Sequence, residues 1–261
     1  MFSIKRHDKT VIYGAMYVNG TWKGQADNRL IEVENPATGA VIATIPDGTA
    51  QDAHDALEAA RRAQLAWAAL PAIQRANLVS RLAREVEDNA DQIALIVTSE
   101  QGKPLSEAKG EVSATVNFLR YAAESARRIE GDIVTSDNPG EEIHIRRHPY
   151  GVVVGLTAWN YPVALAARKL GPALVAGNTF VLLAHENTPL SGLELARLSE
   201  EAGFPKGVLN VVTGRGRTVG KAMVESPMTG LVTMTGSTRA GQEIFRAASE
   251  NLTVLRLELG G

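Results

Sequence analysis

The sequence predicts an α/β protein with an open, doubly wound, Rossmann-like parallel sheet, an N-terminal helical layer and a protruding β-ribbon. The first observation is the continuous apolar run GVVVGLTAW (151–159), which is typical of a strand buried on both faces of a parallel sheet. The second is the regular alternation of strand and helix patterns after residue 159. The third is the helical apolar pattern of residues 50–128, which precedes the sheet.

Two short hairpins are predicted before the helices. Residues 16–24 form the first, with the turn-forming dipeptide Asn19-Gly20 between two β-rich runs. The second pairs residues 30–33 with residues 41–45 through the segment NPATG (35–39). The apolar period then changes from about 2 to about 3.6 residues, which marks the beginning of the helical layer.

Four helices are predicted from residue 50 onward. Thr49 is the expected N-cap of the first, because its hydroxyl can accept a hydrogen bond from the first helical turn. Pro71 suits the first turn of the second, and Gly102-Lys103-Pro104 ends the third. The predicted helices cover residues 50 to about 70, 71 to 86, 90 to about 100, and 106 to about 128.

A β-ribbon is predicted where the helices end. In GDIVTSDNPGEEIHIRRHPYG (131–151) two alternating strands flank Asn138-Pro139-Gly140, which predicts a ribbon that leaves the body of the domain. Further strands are predicted at 151–159, 179–184, 209–214, 230–236 and 252–261, and helices at 190–203, 218–226 and 237–251. The expected parts are hairpins and helices in 1–130, the ribbon in 131–150 and a Rossmann-like part in 151–261.

The composition narrows the classes of function. The chain has 261 residues, of which 44% are apolar and 21% charged, as is ordinary for a globular protein. A net charge of −2 gives no electrostatic reason to expect nucleic acid or an anionic membrane as a partner. No segment reaches the roughly 20 apolar residues of a membrane span, and the first residues lack the apolar core of a secretory signal. A cytoplasmic location is therefore expected.

The chain contains no cysteine. Disulfides, thiolate metal sites and a cysteine nucleophile are therefore excluded within these residues. The five histidines also lack the spacing of metal ligands, so no metal site is expected.

Polar residues occur at predicted strand ends, where the ligands of doubly wound sheets bind. Asn160 follows the strand at 151–159, and its amide can donate a hydrogen bond into a site; alternatively, it only caps the next helix. Gly236 and Ser237 lie at a helix N-terminus, whose free N–H groups suit a phosphate. Alternatively, Ser237 is a simple N-cap.

Two further candidates are less distinctive. GRGRTVG (214–220) contains Gly216 and Gly220 but misses the G-x-G-x-x-G spacing, so that it is a weak signal on its own. Glu258 interrupts an apolar strand just before two glycines, and a carboxylate is costly to bury without a partner. Alternatively, Glu258 is an ordinary glutamate of an edge strand.

Several segments, taken in order, resemble the NAD(P)-dependent aldehyde dehydrogenase superfamily over nearly the whole chain. They are ENPATGAVIATIPDG, EQGKPLSEAKGEV, GLTAWNYP, GPALVAGNTFV, GFPKGVLNVVTGRG, MTGSTRAG and LELGG. The stretch ARRIEGDIVTSDNPGE is most similar to the lactaldehyde and glycolaldehyde dehydrogenase branch. The resemblance implies that a small aldehyde, such as lactaldehyde or glycolaldehyde, is oxidised to its acid with NAD in the parental reaction.

The resemblance also implies roles for particular residues. Asn160 corresponds to the asparagine that donates a hydrogen bond to the oxygen of the tetrahedral intermediate, and Glu258 to the general base that activates the deacylating water. Glu186 corresponds to an acidic residue on the adenosine ribose, which favours NAD over NADP. The implied cofactor-binding set is Thr157, Ala158, Trp159, Leu183, Glu186, Gly216, Gly220, Gly236 and Ser237, with Ser237 on the pyrophosphate side.

Some positions depart from the family pattern. Leu183 and Ala184 replace the lysine and proline of the usual KPSE, and Ala158 replaces a proline. Loss of a charged hydrogen-bond donor costs roughly 1.5–3 kcal/mol, or about ten- to a hundredfold in affinity. We therefore expect weak NAD binding.

The family's cysteine nucleophile has no counterpart in this sequence, so the resemblance implies that the catalytic domain is missing. We favour a fragment without activity of its own. There are two alternatives. The chain is one half of a split enzyme, or it is a non-catalytic module that binds NAD or joins full-length relatives through the ribbon. Apolar surface near Glu258, which the missing domain would cover, and an unpaired strand edge on the ribbon predict self-association or pairing with a full-length relative.

Overall fold

A computed structural model describes residues 5–6, 9–10, 14–24 and 29–260. Its strands are β1 (Lys5–Arg6), β2 (Lys9–Thr10), β3 (Met16–Val18), β4 (Thr21–Lys23), β5 (Leu30–Asn35), β6 (Ala40–Pro46), β7 (Asp132–Thr135), β8 (Glu142–Ile145), β9 (Val152–Leu156), β10 (Thr179–Leu183), β11 (Leu209–Val212), β12 (Thr229–Gly236) and β13 (Val254–Leu259). Its helices are α1 (Ala50–Ala69), α2 (Ala72–Asp88), α3 (Ala90–Gln101), α4 (Leu105–Glu124), α5 (Pro162–Val175), α6 (Leu190–Glu201), α7 (Lys221–Val224) and α8 (Thr238–Ala248).

The main sheet has the order β13-β12-β9-β10-β11-β3-β4. The strands from β13 to β11 are parallel, and β3 and β4 extend the sheet antiparallel beyond β11. After β9, the strands β10 and β11 follow on one side of it, and the later strands β12 and β13 lie on its other side. This is the doubly wound topology that the sequence predicts, and it places the crevice for a ligand at the carboxyl ends of β9 and β12.

The centre of the sheet is apolar on both faces, as expected for parallel strands between helices. All five residues of β10 and all four of β11 are buried. Gly155 in β9 has a packing reason, because a Cβ atom there would lie 2.4 Å from the ring of Phe180. The glycine lets the aromatic ring lie directly on the neighbouring strand.

Helices cover both faces of the sheet. One face packs against α1, α7 and α8, and the other against α5 and α6. The remaining helices, α2, α3 and α4, pack on α5 and α6 and not on the sheet itself. The predicted N-terminal helical layer is confirmed, with α1 directly on the strands and the next three helices in a second layer.

Local signals in the sequence predict several elements correctly. Thr49 and Asp52 form a reciprocal capping box at the start of α1, with Thr49 Oγ1 3.2 Å from the Asp52 nitrogen and Asp52 Oδ2 2.8 Å from the Thr49 nitrogen. Asn19 and Gly20 both have positive φ, at 53° and 71°, as a tight hairpin turn between β3 and β4 requires. The second hairpin, β5–β6, also forms as predicted.

Two helix predictions need correction, and one helix had no separate prediction. The fourth helix does not continue to residue 128, because α4 ends at Glu124 and a 3₁₀ turn covers Ser125–Arg128. The predicted helix at 218–226 is a π-helical turn, Gly216–Gly220, followed by the short α7. No bounds were predicted for α5, although this helix carries Arg168 and Lys169, which lie beside Glu258 and Thr233.

The ribbon forms as predicted, with β7 paired antiparallel to β8. Every residue of both strands is exposed, including the apolar Ile133, Val134, Ile143 and Ile145. Within residues 5–6, 9–10, 14–24 and 29–260, no helix is both long and apolar enough to cross a bilayer.

Candidate active site

A cleft of about 1390 Å³ lies at the carboxyl ends of β9, β10, β12 and β13. This is the edge of the sheet where the topology predicts a ligand. All eleven residues proposed from the sequence line this cleft: Thr157, Ala158, Trp159, Asn160, Leu183, Glu186, Gly216, Gly220, Gly236, Ser237 and Glu258. The structure thus brings together residues that are as many as 101 positions apart in sequence (157 to 258).

The segment that leaves β9, which we call the β9 loop (157–161), is held from beneath by a lysine. Lys103 Nζ donates a hydrogen bond to the backbone oxygen of Asn160 at 2.8 Å and lies 3.7 Å from the ring centroid of Tyr161. The same ammonium group pairs with Glu111 at 2.6 Å, and both side chains are almost wholly buried. One hydrogen bond therefore fixes the backbone of Asn160 from outside the cleft, and the ion pair and the ring contact hold the lysine that donates it.

The alternative that Asn160 only caps the next helix is wrong. The first turn of α5 is capped by Glu111, whose Oε1 accepts hydrogen bonds from the nitrogens of Val163 at 3.0 Å and Ala164 at 3.2 Å. Asn160 is exposed, and its side-chain amide makes no hydrogen bond to any residue in the described part of the chain. The amide is thus available to a ligand in the cleft.

The three residues before Asn160 form the wall of the cleft below it. Thr157 is buried, Ala158 is partly buried, and the Trp159 ring is about half exposed. An exposed aromatic ring beside a cleft offers a flat apolar surface to a ligand.

Glu258 lies in β13, the last strand at its edge of the main sheet in the described residues, as the edge-strand alternative predicts. Its side chain nevertheless faces the cleft and remains 55% exposed. It forms an ion pair with Arg168 of α5 and accepts a hydrogen bond from Thr235 Oγ1 at 3.1 Å. An edge position and a role in a site are therefore compatible for this carboxylate.

A second cation of α5 lies behind this ion pair. Lys169 is buried and donates a hydrogen bond to Thr233 Oγ1 at 3.3 Å. Burial lowers the pKa of Lys169, while the charge of Glu258 acts in the opposite direction. Arg168 and Lys169 were not predicted from the sequence, because their only local signal is a pair of charges in the otherwise apolar segment PVALAARKLGPALV (162–175).

The segment that leaves β10, which we call the β10 loop (184–189), carries another acidic group of the cleft, Glu186. Glu186 Oε2 is inaccessible to solvent and accepts no hydrogen bond from the described residues. Its nearest cation is Arg215, whose Nη1 lies 3.8 Å away and whose Nε lies 3.3 Å from Asp47 Oδ2. Leu183 is only 6% exposed but still lines the cleft. Arg215 was not among the residues proposed from the sequence.

The predicted glycines differ in what surrounds them. A Cβ atom on Gly216 would meet nothing within 4 Å and would enter the open cleft. A Cβ atom on Gly220 would lie 3.2 Å from the side chain of Leu183, and one on Gly236 would lie 2.5 Å from Met234. Gly216 thus leaves room for a ligand, whereas Gly220 and Gly236 allow close packing of the cleft wall.

Ser237 is the N-cap of α8, and its Oγ accepts a hydrogen bond from the nitrogen of Ala240 at 3.2 Å. The simple N-cap alternative is therefore correct for its hydroxyl. It does not exclude an anion, because a helix has four N–H groups without intrahelical partners and one cap satisfies only one of them. Within the described residues, no three His, Asp or Glu side chains gather as a metal-binding group.

The family model for the aldehyde dehydrogenase family matches residues 22–261. This chain belongs to the aldehyde dehydrogenase family. The match covers the helical layer and the five parallel strands of the main sheet, so the predicted family and the predicted fold class are confirmed.

Individual members of the family match over nearly all of this chain. The 3,6-anhydro-alpha-L-galactose dehydrogenase of Vibrio sp. (strain EJY3) is 48% identical over 94% of this chain and 51% of its own length. The lactaldehyde dehydrogenase of Escherichia coli (strain K12) is 45% identical over 94% and 51%. A solved structure of Staphylococcus aureus betaine aldehyde dehydrogenase in complex with NAD+ is 34% identical, with a TM-score of 0.93 over 96% of this chain and 52% of that one. This chain thus spans about half the length of these relatives.

Proposed function

We propose that this chain is the nicotinamide-dinucleotide-binding part of an aldehyde-oxidising enzyme and that it supplies two of the groups that act on the aldehyde. The observation that carries the proposal is the convergence of all eleven candidate residues on one cleft at the topological switch of the sheet. A relative with the same fold, the betaine aldehyde dehydrogenase above, was solved with NAD+.

The cleft has the groups that a dinucleotide needs. The carboxylate of Glu186 lines the cleft and accepts hydrogen bonds from the adenosine ribose hydroxyls. The N-terminus of α8 at Ser237 receives the pyrophosphate. Gly216 leaves space for the close approach of the ligand, and Trp159 and its two preceding residues line the path toward Asn160. Because Leu183 supplies no charge, binding is weaker than a lysine would give.

Asn160 and Glu258 are the groups for the aldehyde. The free amide of Asn160 donates a hydrogen bond to the oxygen that gains negative charge, a contact worth about a hundredfold or more in rate. Glu258 takes a proton from the water that releases the product, for which it must separate from Arg168. The nicotinamide, when bound, accepts a hydride from the substrate.

The nucleophile comes from outside this sequence. With no cysteine among the 261 residues, the thiolate that attacks the aldehyde in this family has no source here. We therefore propose that these residues alone do not oxidise aldehydes. The substrate class that we favour for the parental enzyme is small hydroxyaldehydes, in line with the lactaldehyde dehydrogenase that is 45% identical.

The ribbon is our candidate for contact with another chain. All residues of β7 and β8 are exposed, and both strands carry apolar side chains that face solvent. Such a two-stranded ribbon with open edges is suited to strand addition. Sedimentation of dilute protein should show self-association, and a stable monomer at micromolar concentration would exclude this part of the proposal.

Calorimetric titration with NAD tests the binding function. The chain should bind NAD saturably at one site, and Gly216→Val should abolish binding because its side chain fills open space in the cleft. Gly110→Val is the matched control, since a Cβ atom at Gly110 also meets nothing within 4 Å but lies on α4 away from the cleft. Both variants should melt as cooperatively as the parent chain.

An absorbance assay with NAD and short aldehydes tests the second half of the proposal. We expect no formation of NADH above the blank. The proposal is contradicted if the folded chain shows no heat of binding with millimolar NAD, or if any aldehyde is steadily turned over.

A further inference from the structure

The cofactor end of the cleft contains a charge arrangement that the sequence motifs did not reveal. The β10 loop supplies an acid, Glu186, and the strand residue before the loop, Leu183, carries no charge. A cation reaches the same place from a different element, because Arg215 precedes the π-helical turn and lies against Glu186. The acid and the cation are 29 positions apart (186 to 215).

The contacts of Arg215 leave part of its guanidinium free. Its Nε is engaged by Asp47 Oδ2 at 3.3 Å, which anchors the side chain. Its Nη1 is 3.8 Å from Glu186 Oε2, too far for a hydrogen bond but close enough for charge attraction. The side chain is 39% exposed and lines the cleft. Nη1 and Nη2 of Arg215 can therefore donate hydrogen bonds to a ligand while Nε keeps its contact with Asp47.

This arrangement changes how the site discriminates between the two dinucleotides. A carboxylate at the ribose repels the 2′-phosphate of NADP, and this is the usual basis of NAD preference. A guanidinium beside that carboxylate offsets the repulsion and offers bidentate donors that match a phosphate. For NAD, which has only a hydroxyl at this position, the same guanidinium makes no comparable contact.

We propose that Arg215 sets the cofactor selectivity of this site, by binding the 2′-phosphate of NADP in place of the missing lysine and thereby reducing the preference for NAD that Glu186 creates. The inference rests on the proposed function, because it assumes that a nicotinamide dinucleotide occupies the cleft. It predicts dissociation constants for NAD and NADP that differ by less than about tenfold in the parent chain.

The test is a titration of NAD and NADP, with adenosine 5′-monophosphate and adenosine 2′,5′-bisphosphate as smaller probes. Arg215→Met should weaken NADP and the bisphosphate by about tenfold, as expected for loss of one charge-assisted contact at a partly exposed position. The affinities for NAD and the monophosphate should change by less than about twofold. Arg217→Met is the matched control, because it removes an exposed arginine of the same turn that is not the partner of Glu186.

The outcomes separate this inference from the proposed function. If none of the four probes binds, both are overturned. If NAD binds but Arg215→Met weakens NAD and NADP equally, or if Arg217→Met alone weakens NADP, only the role of Arg215 is overturned. If Arg215→Met does not fold because it has lost the contact with Asp47, the ratio of the NAD and NADP affinities of the parent chain still tests the inference. A preference for NAD above about tenfold at low salt would contradict the inference.

Discussion

The β9 loop and the β10 loop have the same architecture but are held by different electrostatics. Each joins a buried strand to a helix whose first turn is capped by a glutamate from the helical layer. Glu111 caps α5, and Glu100 caps α6 by accepting hydrogen bonds from the nitrogens of Leu190 at 2.7 Å and Ser191 at 3.0 Å. Glu111 is paired with Lys103, whereas no cation of the described residues pairs with Glu100.

The difference determines how each loop responds to its surroundings. Without a cation, burial raises the pKa of Glu100 to about 7, so that the charge of this cap changes near neutral pH. At the β9 loop the buried ion pair is also tied to the site, because Lys103 donates to the backbone oxygen of Asn160. The loop with the proposed oxyanion donor is thus fixed by a pair of opposite charges, and the loop with the ribose carboxylate depends on a group that titrates.

The largest expected effect comes from breaking the ion pair at the β9 loop. Lys103→Met should lower the free energy of unfolding by about 3–5 kcal/mol, because it leaves Glu111 buried without a compensating charge. Urea denaturation measures the loss. Lys109→Met is the control, since the Lys109–Asp91 pair is exposed and should contribute less than about 1 kcal/mol. Equal losses in the two variants would mean that the buried pair does not hold the loop.

The next effect concerns pH and the β10 loop. Since the pKa of Glu100 is higher in the folded chain than its usual 4.5, the folded state binds more protons between pH 4.5 and about 7. The stabilising contribution of Glu100 is therefore complete below pH 4.5 and is lost as the pH rises through 7. The loss should be on the order of 3 kcal/mol.

Glu100→Gln should remove this dependence. Its stability relative to the parent chain should rise between pH 5 and pH 8, as measured by urea denaturation at each pH. Glu107→Gln, a change of an exposed glutamate on α4, should shift the stability equally at both pH values. A difference between Glu100→Gln and the parent that is independent of pH would contradict the contrast between the two loops.

A smaller effect is expected at the strand end that precedes the β10 loop. Leu183→Lys restores a charged donor beside the proposed ribose site and should tighten NAD binding by about tenfold. The aliphatic part of the new side chain can stay where Leu183 lies while its ammonium group reaches the cleft. Leu183→Met is the uncharged control, and calorimetry compares the two. If both variants bind NAD alike, Leu183 is not the cause of weak binding.

The smallest effect concerns α8, which faces the same cleft but is capped by its own side chain and not by a remote glutamate. Ser237→Ala should lower the free energy of unfolding by about 1 kcal/mol, and Ser237→Gly by only a few tenths. Thermal melts measure both. Equal melting temperatures for the parent chain and Ser237→Ala would show that the contact with Ala240 contributes nothing.

Much of the fold could be predicted because local signals decide it. The Asn19-Gly20 turn, the capping box at Thr49 and the continuous apolar run of β9 each concern neighbouring residues, and each of these features forms where it was expected. Asn160, Gly236, Ser237 and Glu258 could be proposed because strand ends in a doubly wound sheet converge on one edge. Leu183, Glu186 and the three residues before Asn160 were implied only by the resemblance to a family.

The groups that hold the site could not be predicted, because their partners are distant in sequence. Lys103 and Asn160 are 57 residues apart, and Arg168 and Glu258 are 90 apart. Sequence periodicity contains no information about contacts between such distant residues. A single charge in an apolar helix is equally typical of a residue that faces solvent. The π-helical turn at Gly216–Gly220 could not be predicted either, because its sequence pattern is that of an ordinary helix.

Hydrogen exchange with and without saturating NAD tests the central claim, that this cleft is the dinucleotide site, most directly. We expect protection of the backbone amides in residues 157–160, 183–188, 214–220 and 235–238, the segments that line the cleft. The ribbon strands β7 and β8 should be unchanged, because they lie outside it. Protection that is absent from these four segments, or that is concentrated on the ribbon, would contradict the account.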